Sequence, residues 1–116
     1  MTATATTIRY IGQLTGLTTG LPLTIAATAT PGNTVHTYSG GGEDLIELWL
    51  LNQSSATVLV HVEWGNATTT NGLVYYVPAY SAILAADRWP LSTGTINIFA
   101  GTTGVIAATG KYWNAV

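Results

Sequence analysis

Residues 44–64 read DLIELWLLNQSSATVLVHVEW, and this stretch decides the fold. Two runs of leucine, β-branched and aromatic side chains flank a polar break at residues 52–56, and such side chains suit a pleated, half-buried surface. We therefore predict a long antiparallel hairpin whose two-residue loop is formed by Ser54 and Ser55. Because side chains alternate along a strand, the position of this loop also decides which side chains share a face.

Both faces of the predicted hairpin are largely apolar, which a solvent-facing antiparallel sheet would not tolerate, so the hairpin should have protein on both sides. We expect one face to form the core of a sandwich, with the residues Leu45, Trp49, Leu51, Val58, Val60 and Val62. The opposite face is our candidate surface for contact between subunits, with the residues Leu48, Leu50, Leu59 and His61. A shift of one residue in either strand would exchange the faces of that strand.

The composition indicates a subunit that is covered by neighbours. At 116 residues the chain suits one domain. Only 7% of its residues are charged, compared with about a quarter in ordinary globular proteins. A subunit that buries much of its outer surface needs fewer charges than a lone monomer. The net charge of -2 and the dispersed positions of Arg9, Arg88 and Lys111 argue against a nucleic-acid partner.

Targeting and redox signals are also missing from the sequence. No apolar run reaches the length of a membrane span, and the amino terminus lacks the pattern of a signal peptide. We therefore expect no membrane partner and synthesis in a cytoplasm. The chain has no cysteine, which removes disulfides and thiolate chemistry.

The rest of the chain predicts further short strands. Residues 95–100 (TINIFA) alternate well between two faces, and we also expect a strand at residues 23–30 and a turn at residues 87–90. About eight short strands without a helical period are typical of an all-β sandwich or barrel. We predict one antiparallel β-sandwich domain over residues 22–116.

Residues 1–21 form the predicted amino-terminal arm, which is rich in Thr, Ala and Gly and shows no sustained period. Its few large side chains are spaced like anchors on an extended segment, so we expect it to order against a partner by strand addition or along a groove. The expected contact residues are Ile8, Tyr10, Ile11, Leu14 and Leu17. An ordinary first strand of the domain's own sheet is the alternative.

The sequence offers little chemistry. His61 and Glu63 lie two apart on one predicted strand and could supply two metal ligands, with His36 and Glu47 as the remaining options, but a satisfied interface pair explains them better. No motif of a serine hydrolase is present, and the carboxylates do not form an evident glycosidase pair. We therefore expect no catalytic residues, no cofactor and no metal.

Aromatic residues near the predicted strand ends are more informative about function than the histidines and carboxylates. We expect most of them to close the ends of the sandwich, although rings at such positions could also form a contact surface or a platform for sugars. They are Trp64, Tyr75, Tyr76, Tyr80, Trp89 and Trp113.

A Thr-rich arm, the run Leu48 to Ser54, the returning run Thr57 to Val62 and a closing all-β half together resemble the small decoration, or cement, proteins of tailed bacteriophages. The resemblance covers most of the chain and is one of pattern and composition. It implies an all-β fold, an antiparallel β-sandwich or β-tulip-like barrel with an extended N-terminal arm. It also implies an oligomer, commonly a homotrimer with a dimer as the alternative, on the exterior of the virion capsid.

The partners implied by this resemblance are the major capsid protein and other copies of the chain, after synthesis in the host cytoplasm. The family has no catalytic residues to carry over. A tail or baseplate component and a carbohydrate-binding module that uses Trp64, Tyr76 or Trp89 are the alternative functions.

Overall fold

A computed structural model describes residues 7–66 and 72–116, which form two antiparallel β-sheets packed face to face. Every strand pairing among the described residues is antiparallel, and these residues contain no helix. The nine strands within these described ranges are β1 (Ile8–Gln13), β2 (Leu23–Thr24), β3 (Asn33–Thr37), β4 (Glu43–Asn52), β5 (Val58–Trp64), β6 (Gly72–Val77), β7 (Ala82–Leu91), β8 (Thr95–Ala100) and β9 (Ile106–Ala115). The predicted all-β sandwich is confirmed.

Sheet A has the strand order β1-β9-β4-β7, and β2 pairs with a second part of β9. Sheet B has the order β3-β8-β5-β6. The core lies between the two sheets and consists mainly of leucine, isoleucine, valine and alanine side chains from both. This layering gives each sheet one inner face in the core and one outer face.

The predicted hairpin is wrong, because β4 belongs to sheet A and β5 belongs to sheet B. Residues 53–57 carry the chain from one sheet to the other, and Asn52 holds this crossing. Its buried Nδ2 donates to the carbonyls of Ala56 at 2.8 Å and Val77 at 2.9 Å, and its Oδ1 accepts from the Ser54 amide at 2.9 Å. The polar break is therefore a connection between layers and not a tight turn.

The predicted faces of β4 are consequently exchanged. Ile46, Leu48 and Leu50 are fully buried in the core. Leu45 and Leu51 are half-buried on the outer face, where Trp49 is exposed. Since the two strands are not paired, β4 can face the core with the opposite set of residues from the one that a hairpin register requires.

The faces of β5 agree with the prediction. Val58, Val60 and Val62 are buried in the core, whereas Leu59 and His61 lie on the outer face of sheet B. The candidate subunit surface is thus divided: Leu59 and His61 remain on an outer face, and Leu48 and Leu50 do not.

The described part of the predicted arm is built into the sandwich. Residues 8–13 form edge strand β1 against β9, Leu14 is fully buried, and the Gly16 amide donates to the Val35 carbonyl at 2.9 Å. This is the alternative interpretation, an ordinary first strand of the domain's own sheet. The remainder of the expected arm, residues 1–6, lies outside the described residues.

Two further predictions, one of a turn and one of a strand, differ from the structure. The predicted turn at residues 87–90 is the end of the continuous strand β7, where the register shifts against β4 at Arg88, which has a φ of 58°. The predicted strand at residues 23–30 is only two residues long. In that region the Ala26 and Ala27 amides donate to Oδ1 of Asn33 at 2.9 Å, and the peptide before Pro31 is cis.

Candidate interaction surface

The outer face of sheet A is lined by large aromatic and aliphatic side chains. Tyr10 and Leu45 both pair with Trp113, and Trp49 pairs with Leu84 on the neighbouring strand. Side chains that are directly opposite on one face of a sheet contact each other, so these pairs form a contiguous surface. We call this surface the aromatic face, and its apolar members are Ile8, Tyr10, Leu45, Trp49, Leu84 and Trp113.

Trp113 lies at the centre of the aromatic face. The ring of Tyr10 meets it edge-on at 5.9 Å between centroids. The guanidinium of Arg88 lies 4.7 Å from the Trp113 ring centroid, and the ammonium of Lys111 lies at 5.6 Å. Both are within the distance of a cation–π interaction. Two of the three cationic side chains in the sequence therefore lie on this one ring.

One carboxylate lies beside these groups. Glu47 pairs with Lys111 across the two central strands, with 4.0 Å between the carboxylate oxygen and the ammonium. The same Glu47 carboxylate accepts a hydrogen bond from the indole of Trp49 at 3.3 Å. An ion pair that is this exposed contributes little to stability. Its charges and the indole are instead available to a partner that covers the face.

The outer face of sheet B carries different types of residue from the aromatic face of sheet A. His61 stacks on Phe99 with 4.5 Å between ring centroids and an interplanar angle of 9°. Leu59 pairs with Tyr76, and His61 pairs with Val74. These residues carry no permanent charge, and Tyr76 is 71% exposed. This face is a smaller apolar surface that ends at the edge strand β6.

A buried polar cluster lies at one end of the sandwich. His36 and Asp44 are both fully buried, and His36 Nε2 lies 2.8 Å from Asp44 Oδ2. The Asp44 carboxylate also accepts hydrogen bonds from the Ser39 amide at 2.9 Å, the Ser39 hydroxyl at 2.6 Å and the Asn114 amide at 3.1 Å. Tyr112 covers the His36 ring edge-on at 4.4 Å between centroids.

Burial and hydrogen bonding act in opposite directions on the pKa of each titratable group in this cluster. Burial dominates at His36, and hydrogen bonding dominates at Asp44. Burial lowers the pKa of His36, and the hydrogen bond and charge of Asp44 only partly oppose that shift. Burial alone would raise the pKa of Asp44, but the hydrogen bonds from Ser39, His36 and Asn114 outweigh it and hold the pKa below its ordinary value. The pair therefore consists of a neutral imidazole and a carboxylate.

The cluster lacks the geometry of a serine hydrolase site. The Ser39 hydroxyl donates to Asp44 and not to the imidazole. On its other side, His36 Nδ1 accepts from the Thr15 backbone amide at 3.2 Å. Both nitrogens of the imidazole thus have structural partners, and the cluster fixes β3 and the segment after β1 to sheet A. Sequence reasoning missed this cluster because Asn114 lies 70 residues after Asp44, and because His36 and Asp44, eight residues apart, match no motif.

The four candidate metal ligands are not brought together. His36 is buried with Asp44, Glu47 lies on the aromatic face, and His61 lies on the outer face of sheet B. Glu63 is fully buried and accepts hydrogen bonds from the Gly32 amide at 2.8 Å and the Thr30 hydroxyl. Within residues 7–66 and 72–116, no group of three or more His, Cys, Asp or Glu side chains could hold a metal ion.

The proposed sugar-binding aromatics do not share a platform. Trp64 and Trp89 meet edge-to-face at 6.0 Å and an angle of 65°, and the Trp64 indole donates to the Pro90 carbonyl at 3.1 Å. With Leu73 they line a cleft between the two sheets. Tyr76 lies elsewhere, on the outer face of sheet B.

The predicted contact residues of the arm divide into an exposed group and a group that packs in the core. Ile8, Tyr10 and Ile11 are exposed on edge strand β1. Leu14 is fully buried, and Leu17 packs against the core. The first three can contact a partner, whereas the last two hold the segment to its own domain.

Comparisons with known proteins leave the fold and the surface as the only guides to function. The chain matches no family model, no curated protein and no solved structure. In the described part of the chain, no helix is long and apolar enough to cross a membrane.

Proposed function

We propose that the chain is a structural virion protein that binds the outside of a phage capsid and stabilises it as an oligomer. The observation that carries the proposal is the aromatic face of sheet A. Its side chains are of the type that dominates binding energy in protein interfaces, with tryptophan and tyrosine beside arginine. Ile8 is 61% exposed, Tyr10 60% and Trp49 36%.

The exposure of this face is costly for a protein that works alone. Monomeric soluble proteins rarely expose large contiguous apolar patches, and such patches mark sites of interaction. The chain also has few charges with which to surround the patch, since only 7% of its residues are charged. A large, flat partner such as a protein shell would cover the face in a way that a small ligand would not.

The proposed mechanism is mechanical. A subunit that contacts two neighbouring shell proteins adds its binding free energy to the cohesion of the shell. Many copies act together, because each further contact of a held oligomer is made at high effective concentration. The partners are the major capsid protein and other copies of this chain, as a homotrimer or, in the alternative, a dimer.

The test is binding of the purified full chain to capsids isolated from its source. We expect the protein to co-sediment with heads in a fixed ratio to the shell protein. Trp49→Ala combined with Tyr10→Ala should reduce this binding at least about tenfold, because each removes an aromatic anchor from the face. The control is Leu21→Ala, because Leu21 is a similarly exposed apolar residue (58%) outside the aromatic face and outside β6, and this variant should bind like the original protein.

Two outcomes would contradict this proposal. One is an original protein that does not sediment with heads at all. The other is a double variant that is folded, by its melting temperature, and still saturates them. Association with tails in place of heads would favour the alternative of a tail or baseplate component.

The cleft that contains Trp64 and Trp89 is the observation that favours a carbohydrate-binding function as the second candidate. Aromatic side chains in an open cleft can stack on sugar rings, although these two indoles meet at a steep angle. A glycan array with the original protein and Trp89→Ala tests it. Selective binding that is lost in the variant supports a carbohydrate partner, and no binding by either protein removes this candidate.

A further inference from the structure

Strand β6 is an edge of sheet B that pairs only with β5 among the described strands. In an antiparallel pair, backbone groups point alternately toward the partner strand and away from it. Half of the amide and carbonyl groups of an edge strand are therefore directed outward. Such an edge can accept another extended strand by the same hydrogen bonds.

The edge strand β7 is interrupted in ways that prevent such addition. Its register shifts twice against β4, Arg88 has a φ of 58°, and Pro90 has no amide hydrogen. Bulges, prolines and charged side chains are the devices by which natural sheets protect their edges. Asp87 and Arg88 add charges at the same place.

The remaining two edges are also protected. Strand β1 carries Arg9 and a register shift between Tyr10 and Gly12. Strand β3 has a register shift between Thr34 and His36, and the Gly16 amide donates to the carbonyl of Val35 from outside the sheet. Three of the four edges are thus bulged, charged, interrupted or covered.

Strand β6 is neither bulged, charged nor interrupted, although the carbonyl of Val77 at its end accepts from Asn52 Nδ2 at 2.9 Å. It reads GLVYYV, has no charged residue or proline, and keeps an unbroken register with β5 from Gly72 to Val77. Its outer side chains are exposed, Val74 by 55% and Tyr76 by 71%. A regular, uncharged and apolar edge of this kind is suited to pairing with another strand.

We propose that β6 pairs in antiparallel orientation with β6 of a second copy of this chain, so that two copies of sheet B form one continuous sheet. An edge strand selects an extended segment as its partner, and a second β6 has the same length and regularity. Because β6 is uncharged, pairing with itself places no like charges opposite each other. A two-fold axis at the middle of the strand satisfies the outward backbone groups of both copies equally.

The paired strands also continue an apolar surface. Val74 and Tyr76 lie beside His61 and Leu59 on the outer face of sheet B, so the dimer joins two such faces into one. A six-residue strand is about 20 Å long, and stable interfaces usually bury about 800 Å² per partner. We therefore expect a weak dimer that forms at high concentration. The inference depends on the edge alone and not on binding to a capsid.

Single cysteine variants of the full chain test the pairing directly, because the sequence contains no cysteine. Paired residues on neighbouring antiparallel strands have Cα atoms about 4.5 to 5.5 Å apart, which a disulfide can span. If the axis passes Val74, then Val74→Cys cross-links with itself. If it passes Tyr75, only a mixture of Val74→Cys and Tyr76→Cys cross-links, and if it passes Tyr76, Tyr76→Cys cross-links with itself.

Thr37→Cys is the matched control, since Thr37 is an exposed residue on edge strand β3, outside the aromatic face. We expect rapid cross-linking in one of the three β6 combinations and not in this control. No β6 combination faster than the control would overturn the proposal.

Sedimentation from about 1 μM to about 1 mM gives the second measurement, because weak interfaces assemble in that range. We expect a monomer–dimer equilibrium that Val74→Lys weakens about fivefold or more, because two lysines then lie near the axis. Thr37→Lys, on edge strand β3, should leave it unchanged. A protein that is monomeric throughout, or a dimer that Val74→Lys does not weaken, would overturn the proposal. If Val74→Lys fails to fold, the cysteine variants decide the question.

Discussion

The two faces of β4 carry side chains of similar size and hydropathy but have different surroundings. Leu48 and Leu50 on the inner face are fully buried against sheet B. Trp49 on the outer face is partly exposed and contacts no second layer of the described chain. Both faces of the strand are apolar, yet only one is needed for the fold. The other is available for a partner.

Asp44 and Glu47 show the same difference between the inner and outer faces of β4. Asp44 is fully buried on the inner face and is held by hydrogen bonds from Ser39, His36 and Asn114. Glu47, on the outer face, contacts Lys111 and Trp49 at the surface. A carboxylate on the inner face therefore stabilises the fold, and one on the outer face contributes to the chemistry of the surface. Substitutions on the two faces should have different effects.

The largest effect is expected from Asp44→Ala. It removes the acceptor of several buried hydrogen bonds and leaves their donors unpaired, which should lower the free energy of unfolding by about 3 to 5 kcal/mol. Urea denaturation measures this change. The matched control is Asp87→Ala, because Asp87 is exposed on β7 and its replacement should cost less than about 0.5 kcal/mol. Equal losses in the two variants would contradict the role of the buried cluster.

Leu48→Ala and Trp49→Ala compare the two faces directly. The first leaves a cavity in the core and should lower the free energy of unfolding by about 2 to 5 kcal/mol. The second removes a larger side chain from a half-open surface and should lower it by only about 1 kcal/mol. Capsid binding should show the reverse order once both variants are folded. Similar destabilisation by the two changes would show that the outer face also serves the fold.

The pH dependence of stability should give the smallest effect. The unfolded chain binds a proton at His36 near the ordinary pKa of 6.5, whereas the folded chain resists it because burial lowers that pKa. Stability should therefore fall as the pH drops below 6.5, by at most about 1.4 kcal/mol per pH unit. A second loss should begin below the ordinary pKa of 3.8 for Asp44, whose folded pKa is also lowered.

Urea denaturation from about pH 8 to about pH 5 tests the first of these windows. His36→Gln removes the titrating group and should flatten the profile there, although it also lowers the stability at all pH values. A profile for the original protein that is already flat between these limits would show that His36 does not resist protonation in the fold.

The positions of most strands could be predicted because each has its own alternation of side chains. Residues 95–100 match β8, and the apolar run after the polar break contains β5. The inner face of β5 was also predicted correctly. These features are determined by residues that are close together in the sequence, so they can be predicted without knowing which strands pair.

The pairing of strands could not be predicted in the same way. A short polar break between two apolar runs is compatible with a hairpin and with a crossing between sheets, and the apolar outer face of β4 gives no sign of which face is buried. The decisive group is the Asn52 side chain, which accepts from Ser54 and donates to a carbonyl on β6. That contact exists only after the two sheets have come together.

The grouping of residues on the aromatic face could not be predicted from the sequence either. Tyr10, Arg88 and Trp113 come from three strands that are distant in sequence, and only the pairing of β1 and β9 with the centre of sheet A brings them together. The spacing of the large apolar residues in the amino-terminal segment predicts anchors to a partner, and Ile8, Tyr10 and Ile11 are exposed. Sequence alone did not show that Leu14 anchors the segment to its own domain.

The central position of β9 affects how the protein is made. β9 pairs with β1, β2 and β4, and of the described strands only β5 and β6 pair with their neighbour in sequence. Sheet A cannot close until β9, the last of the described strands, has left the ribosome. Folds dominated by distant pairings also form slowly, in about milliseconds to seconds. A nascent chain that ends before β9 therefore lacks Trp113 and cannot present the complete aromatic face.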